Sequence, residues 1–134
     1  MKTFLARCLL VSLPLAVSAC AVRPYPAYAI EDDAETVTNA VVADSTLQGV
    51  VRVGRALVER KEGLLHVVVP VRNVDDEPIR VLAQISFLDT DRRPVGDSSN
   101  QQVKVIDPGN TLETEWVSRG REASDYVLRL SWDK

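Results

Sequence analysis

The chain has 134 residues, of which 46% are hydrophobic and 26% are charged. That size and composition fit one folded domain with short appendages and exclude a chain that is disordered throughout. The formal net charge is −3 at pH 7, so no broad basic surface is available for polyphosphate, and nucleic acid is a poor candidate partner.

The first nineteen residues have the organisation of an export signal. Lys2 and Arg7 form a basic region, and residues 8–17 form an apolar run that is too short to span a bilayer as a helix. We therefore expect residues 1–19 to be a cleaved signal peptide. Cleavage would change the net charge from −3 to −5, because two basic residues and no acidic residue are lost.

Residues 17–20, VSAC, resemble the lipobox of bacterial lipoproteins. In that family the cysteine thiol receives diacylglycerol and the new amino terminus is acylated, so the resemblance implies a lipid anchor at Cys20. Cys8 would leave with the signal peptide, which rules out an intramolecular disulfide. Ala21 resembles the residue that follows the cysteine in lipoproteins of the outer membrane. The implied location is the periplasmic face of that membrane, with the inner membrane as the alternative.

Residues 20–43 are predicted to be the lipidated amino terminus and a linker. Pro24 and Pro26 interrupt regular structure, and an acidic cluster at residues 31–35 follows them; such segments behave as extended spacers. Residues 35–43 fit a short helix or an early strand equally well. The folded domain is predicted to cover residues 44–134.

From residue 44 onward, short runs rich in Val, Leu and Ile are separated by Gly, Pro, Asp and Asn, which is typical of an all-β domain. Gly63 in KEG is predicted to take a positive φ in a hairpin turn, and DPGN places Pro108 and Gly109 at the centre of a type II turn. Five to seven such strands predict an immunoglobulin-like antiparallel β-sandwich without a metal or cofactor. The predicted strands are residues 50–60, 64–74, 79–89, 101–106, 111–117 and 124–132.

Alternation within the strands predicts which side chains face the core, because successive residues of a strand point to opposite faces. Pro70 has no amide hydrogen and is expected at an edge or a bulge. The residues predicted to face inward are Leu65, Val67, Val69, Val71, Ile79, Val81, Ala83, Ile85, Phe87, Leu112, Thr114, Trp116, Tyr126, Leu128, Leu130 and Trp132.

With these strands assigned, residues 66–95 resemble the central block of the YcfL family of small bacterial lipoproteins. The shared features are an apolar strand ending at Asn73, a turn with Pro78, and a second strand ending in an aromatic-x-Asp step at residues 87–89. The likeness extends over residues 44–132, although FLD replaces the commoner aromatic-Tyr-Asp step. The resemblance implies an immunoglobulin-like periplasmic lipoprotein. The family has no assigned chemistry, so it implies no catalytic residues.

The residue types used in catalysis are sparse. His66 is the single histidine and is expected on the solvent side of its strand, since triads and metal clusters need further convergent groups. Glu113 and Glu115 form a pair of carboxylates on an exposed strand face, where no further group equips them for acid/base chemistry. We therefore predict that the protein is not an enzyme.

One loop has the residue types of a calcium site. Asp89, Asp91 and Asp97 are spaced so that their carboxylates can converge on Ca²⁺. Arg92 and Arg93 in the same loop oppose a cation, so a solvated hairpin is the preferred interpretation.

Five residues are assigned structural roles. Trp116 and Trp132 either close the ends of a small core or form a surface for a sugar or a partner, and core is favoured. Tyr126 is placed where a tyrosine corner would bond to the preceding loop. Asn73 and Asp89 end strands, where their side chains can accept hydrogen bonds from nearby amides.

Two function classes fit these features. The first is a membrane-anchored, non-catalytic interaction module that binds another envelope protein through sheet edges or loops. The second is an accessory lipoprotein that binds a small ligand or metal, such as Ca²⁺ or a cell-wall fragment, and it needs a concave polar-lined pocket. No small-molecule substrate is evident from the sequence.

Overall fold

The computed structural model describes residues 24–96 and 100–134, which form ten strands and one short helix. The elements in chain order are β1 (Tyr25–Tyr28), β2 (Thr36–Val42), α1 (Ser45–Val50), β3 (Val51–Val53), β4 (Leu57–Lys61), β5 (Leu64–Asn73), β6 (Ile79–Leu88), β7 (Pro94–Val95), β8 (Gln101–Ile106), β9 (Thr111–Val117) and β10 (Asp125–Trp132).

The strands form two packed sheets, so the predicted all-β sandwich is confirmed. The large sheet has the order β1-β2-β10-β6, with β7 and β8 both pairing with the far side of β6. In the small sheet, β5 is central, with β3 and β4 on one side and β9 on the other. Strand pairing is antiparallel except between β2 and β10, which run parallel. A parallel bridge between Ala29 and Val53 joins the sheets along one side.

The linker predicted for residues 20–43 is wrong where the structure describes it. β1 pairs with β2, and β2 pairs with β10, so residues 25–28 and 36–42 belong to the large sheet. Ala27 and Val42 are completely buried, and that burial favours sheet formation over a solvated spacer. The sandwich therefore includes Tyr25, well before the predicted boundary at residue 44, and the helix-or-strand alternative for residues 35–43 resolves to strand β2.

The acidic cluster lies in the loop between β1 and β2, where it makes specific contacts. Asp33 forms an ion pair with Arg52, whose Nε lies 2.9 Å from Asp33 Oδ1. The Arg52 guanidinium also lies 5.2 Å from the centre of the Tyr28 ring, which is the range of a cation–π contact. Its Nη1 donates to the Val51 carbonyl at 2.9 Å. Arg52 thus ties this loop to the end of α1.

The single strand predicted for residues 50–60 is instead three elements. Asp44 caps α1 by accepting a hydrogen bond from the Thr46 amide at 2.7 Å, and Leu47 is completely buried. The Thr46 hydroxyl and amide lower the pKa of Asp44. The chain then forms β3, leaves the sheet at residues 54–56, and returns as β4.

Pro70 lies opposite that break. β5 is a central strand, so the expectation of an edge position is wrong. Pro70 nevertheless lies where no hydrogen bond from its backbone nitrogen is required. The Pro70 carbonyl accepts from the Gly54 amide at 2.8 Å, and within a strand the amide and carbonyl of one residue point to the same side. The missing amide hydrogen of Pro70 therefore faces the gap between β3 and β4.

Both predicted turns form. Gly63 has φ of 80° and Glu62 has φ of 53°, which is the arrangement of a two-residue hairpin that matches strand twist. Gly109 has φ of 76°, and the Asn110 amide donates to the Asp107 carbonyl at 3.1 Å. This places Pro108 and Gly109 as predicted for a type II turn, which carries the chain from β8 in the large sheet to β9 in the small sheet.

The core lies between the sheets and is built by the predicted faces of β5, β6 and β10. The alternating residues of these strands are almost all less than a tenth exposed, while Leu112 and Trp132 pack partly buried against them. Completely or almost completely buried apolar residues include Val42, Leu47, Val51, Val53, Val67, Val69, Val71, Val81, Ile85, Ile106, Leu128 and Leu130.

Candidate interaction surface on the small sheet

The outer face of the small sheet carries a shallow depression, which we call the acidic trough. It is formed by Leu57, Glu59 and Lys61 of β4, His66 and Val68 of β5, and Glu115 and Val117 of β9. The strand register explains how these side chains meet. Leu57 and Glu115 both pair with Val68, and Glu59 and Val117 both pair with His66.

Apolar side chains are exposed to solvent in the trough. Leu57 is 57% exposed and Val117 is 46% exposed, while Val68 between them is half-buried. The cavity over β5 has a volume of about 160 Å³. Pockets that bury a drug-sized ligand have volumes of about 300 to 1,000 Å³, so this depression is smaller than such a pocket and fits a single side chain.

The rim of the trough is predominantly acidic. Lys61 Nζ lies 3.2 Å from Glu59 Oε2, so these two charges largely compensate each other. Glu115, and Glu113 two residues before it, are exposed on the same face and form no ion pair with any residue that the structure describes. The outer face of β9 therefore carries two carboxylates outside any ion pair of the described residues, while Arg72 lies on the same face of β5, opposite Thr111.

His66 lies on the floor of this trough, on the solvent side of β5 as predicted. It is half-buried and pairs with Glu59 on one side and Val117 on the other. Within residues 24–96 and 100–134 no three or more His, Cys, Asp or Glu side chains gather where they could hold a metal ion.

A second depression lies at the seam where β8 of the large sheet approaches β9 of the small sheet. It has a volume of about 200 Å³ and is lined by Asn100, Gln101, Gln102, Glu115, Trp116 and Val117. Gln102 closes part of the seam, because its Nε2 donates to the Glu115 carbonyl at 2.9 Å. This contact satisfies a backbone group on the free edge of β9.

The two tryptophans pack with the core. Trp116 is 5% exposed, and its Nε1 donates to Thr114 Oγ1 at 3.0 Å. The Thr114 hydroxyl in turn donates to the Val69 carbonyl at 3.0 Å. Trp132 is partly buried, and its Nε1 donates to Thr46 Oγ1 of α1 at 3.0 Å. Trp132 packs against the core cluster to which Trp116 belongs.

Tyr126 is buried at the start of β10. Burial raises the pKa of its hydroxyl, the adjacent Asp125 carboxylate raises it further, and a hydrogen bond with the Asn39 side chain offsets part of the rise. Asn39 Nδ2 also donates to Asp125 Oδ1 at 2.9 Å, so the side-chain contacts at the start of β10 are with β2, whereas a tyrosine corner would engage the loop before β10.

Asn73, at the end of β5, links the turn between β5 and β6 to the end of β8. It is completely buried, and its Nδ2 donates to the carbonyls of Glu77 at 2.8 Å and Ile106 at 2.9 Å. Its Oδ1 accepts from the Asp75 amide at 2.8 Å. The amide contact is the type expected from the sequence. The bond to Ile106 depends on the fold.

Asp89 organises the loop that has the residue types of a calcium site. Its Oδ1 accepts from the amides of Asp91 and Arg93, both at 2.9 Å. Arg92 has φ of 61°, and its Nη1 lies 3.4 Å from Asp125 Oδ2. The Asp89 oxygen is thus used in the loop itself. Asp97, the third residue of the hypothesis, lies outside the described residues.

The predicted signal peptide and Cys20 also lie outside the described residues. In the part of the chain that the structure does describe, no helix has the length and apolar character needed to cross a membrane.

Sequence patterns missed the trough because its members are distant in the chain. Leu57 and Val117 are brought to opposite sides of β5 by two separate registers. Val117 directly follows the inward-facing Trp116, so alternation places Val117 on the outer face. Alternation does not indicate which strand lies beside β9.

Comparison with solved structures shows what this fold is similar to. Campylobacter jejuni cj0090 superposes with a TM-score of 0.59 at 16% identity, over 72% of this chain and all of that one. A DUF1425 family member from Shewanella sp. pv-4 superposes with a TM-score of 0.56 at 14% identity, over 60% of this chain and 75% of that one. At these identities the likeness concerns the fold alone. No protein-family model matches the sequence, and no curated protein matches it.

Proposed function

We propose that this protein is a lipid-anchored, non-catalytic interaction module of the bacterial cell envelope, related to the YcfL-like lipoproteins. The observation that carries the proposal is the exposed apolar surface of the small sheet, where Leu57 and Val117 flank β5. Leu57, Val68 and Val117 line one depression, and apolar surface that is contiguous, in contrast to singly exposed residues, is a feature of protein interaction sites. The fold it shares with the small bacterial proteins named above supports the relationship.

The anchor is proposed from the lipobox resemblance at Cys20. Because β1 begins at Tyr25, five residue steps separate the lipid from the sandwich. A fully extended chain spans at most about 3.3 to 3.6 Å per residue, so the anchor would hold the start of β1 within about 18 Å of the Cys20 backbone. The domain would then work close to the membrane surface, at the periplasmic face of the outer membrane.

Replacement of the cysteine tests the anchor. In cells fed a clickable palmitate analogue, the wild-type protein should be labelled and should sediment with the outer membrane. Cys20→Ser should lose the label and appear in the soluble periplasmic fraction, because one thiol carries the diacylglycerol. Cys8→Ser is the matched control and should behave as wild type. Unchanged membrane association of Cys20→Ser would refute the anchor.

Photo-crosslinking in the same cells tests the interaction role. A photoreactive amino acid placed at Leu57, and separately at Val105 on the large sheet, should trap a reproducible envelope protein from at least one position. The side chains of Leu57 and Val105 are 57% and 54% exposed, so substitution at either position should preserve the fold. The interaction role fails if neither position, nor any other exposed strand position, traps a protein.

A further inference from the structure

The acidic trough has the size, lining and charge to hold one long cationic side chain. We propose that it binds an extended peptide segment that carries a lysine or arginine beside an apolar residue. This inference rests on the proposed interaction role and names the chemistry of the partner.

The volume of the trough limits what can fill it. Its volume of about 160 Å³ is below the roughly 300 to 1,000 Å³ of pockets that bury a small-molecule ligand. A lysine or arginine side chain fits that space, whereas a cofactor or an oligosaccharide does not. The occupant is therefore one side chain of a larger partner.

The lining of the trough matches a side chain that is apolar along its length and charged at its tip. Leu57, Val68 and Val117 supply apolar walls, against which the methylene stem of lysine or arginine can pack. Neighbouring apolar residues of the partner would cover the exposed surfaces of Leu57 and Val117.

The charge of the rim selects a cation. Glu115 has no ion pair within the described chain, and Glu59 shares its charge with a single lysine at 3.2 Å. Glu113 is a second carboxylate of β9 outside any described ion pair, on the same face as Glu115; Arg72 lies beyond it, opposite Thr111. An acidic segment would meet like charges, which are unfavourable across an interface.

The trough is also placed where a partner can reach it. The anchor would attach at the end of the sandwich where β1 begins and β5 ends, and the trough lies at His66 and Val68, five to seven residues back along β5 from Asn73. At about 3.3 Å per residue that is about 20 Å from the end near the anchor. The bilayer would leave this surface open.

Peptide binding tests the proposal. The probe is an acetylated and amidated Lys-Leu-Lys-Leu-Lys peptide, titrated into isotope-labelled mature chain, residues 20–134 with Cys20→Ser, which contains every described strand. We expect amide shifts at Leu57, His66 and Val117. We also expect at least tenfold tighter binding than for Glu-Leu-Glu-Leu-Glu or Lys-Ser-Lys-Ser-Lys.

Substitutions locate the binding site. Glu115→Lys and Leu57→Ser should each weaken the lysine–leucine peptide about tenfold or more, while Val105→Ser, an equally exposed control on β8, should leave its affinity unchanged. Equal binding of the acidic peptide, or shifts centred on β8, would overturn the proposal. It is also overturned if Glu115→Lys has no effect.

Two further outcomes separate this inference from the broader function. Concentration-dependent self-association that Leu57→Ser abolishes would assign the trough to a second copy of the chain and overturn the peptide proposal. If crosslinking in cells traps a partner from position 105 and none from position 57, the interaction role stands and the trough proposal fails. Failure at every exposed position removes the interaction role itself.

Discussion

Asn73 and Tyr126 are buried residues that carry polar groups into the sandwich. Asn73 satisfies two carbonyls and one amide from three different residues, and one of them, Ile106, is 33 residues away. Tyr126 places a hydroxyl in a buried site where ionisation is unfavourable. The stability of the domain should therefore depend on the Asn73 amide and on the protonated Tyr126 hydroxyl.

Asn73→Ala should destabilise the domain by about 3 kcal/mol, because buried backbone groups left without partners cost about 1 to 3 kcal/mol each and part of the loss is recovered by relaxation. Urea denaturation at 25 °C measures the change. Asn110→Ala is the control at an exposed asparagine and should change stability by less than about 0.5 kcal/mol. Equal effects of the two substitutions would show that the Asn73 hydrogen bonds contribute little.

Tyr126 should make the domain sensitive to alkali. Its pKa is raised by folding, so its contribution is fully present below the unfolded value near 10 and is lost as pH rises through the folded pKa. The melting temperature should therefore fall more steeply above about pH 10 in the wild type than in Tyr126→Phe. Tyr25→Phe, at an exposed tyrosine, should keep the wild-type profile. An unchanged profile in Tyr126→Phe would contradict this assignment.

At the scale of elements, the turns and the break after β3 decide how the strands meet. The hairpin at Glu62 and Gly63 sets the register of β4 on β5, and that register places Leu57 and Glu59 in the trough. The Arg121 side chain packs against this turn, and a Cβ on Gly63 would lie 3.1 Å from Arg121 Nε.

Gly63→Ala should destabilise the domain by about 1 to 2 kcal/mol, because a left-handed backbone is unfavourable for alanine and the new methyl group meets Arg121. Thermal unfolding followed by circular dichroism measures the change. Gly49→Ala in α1 is the matched control, since no atom lies within 4 Å of the new Cβ. That control should be neutral or stabilising by up to about 1 kcal/mol. Equal melting temperatures for the two variants would argue against strain at Gly63.

At the scale of the whole molecule, β1 and β2 complete the large sheet. β2 covers the side of β10 that would otherwise be a free edge, and β1 brings Ala27 into the core. The Ala29–Val53 bridge then connects the two sheets. The domain therefore depends on residues that composition alone assigns to a linker.

A chain that begins at Asp44 should fail to fold as a soluble monomer, whereas one that begins at Pro24 should fold. The shorter chain exposes the edge of β10 together with the apolar surface that Val42 and Ala27 cover, and free edges promote aggregation. Amide NMR spectra and size-exclusion chromatography of both chains provide the measurement. A dispersed, monomeric spectrum from the chain that starts at residue 44 would show that β1 and β2 are dispensable.

Local patterns were sufficient for several features of this protein. The inward faces of β5, β6 and β10 follow from alternation with a period of two, and the turns at Gly63 and Gly109 follow from the freedom of glycine at positive φ. These features depend on residues within a few positions of one another. The resemblance to a lipobox at Cys20 is equally local, and the prediction of lipidation rests on the sequence alone.

Only the tertiary structure decided where β1 and β2 belong, how residues 50–60 divide, and which side chains form the trough. Leu57 and Val117 are 60 positions apart in the sequence, and they become neighbours across β5 because two independent registers are fixed by the packing of the whole core. Burial of Ala27 and Val42 likewise outweighs the prolines and carboxylates nearby. Such choices minimise exposed apolar surface over the entire molecule, so no short segment specifies them.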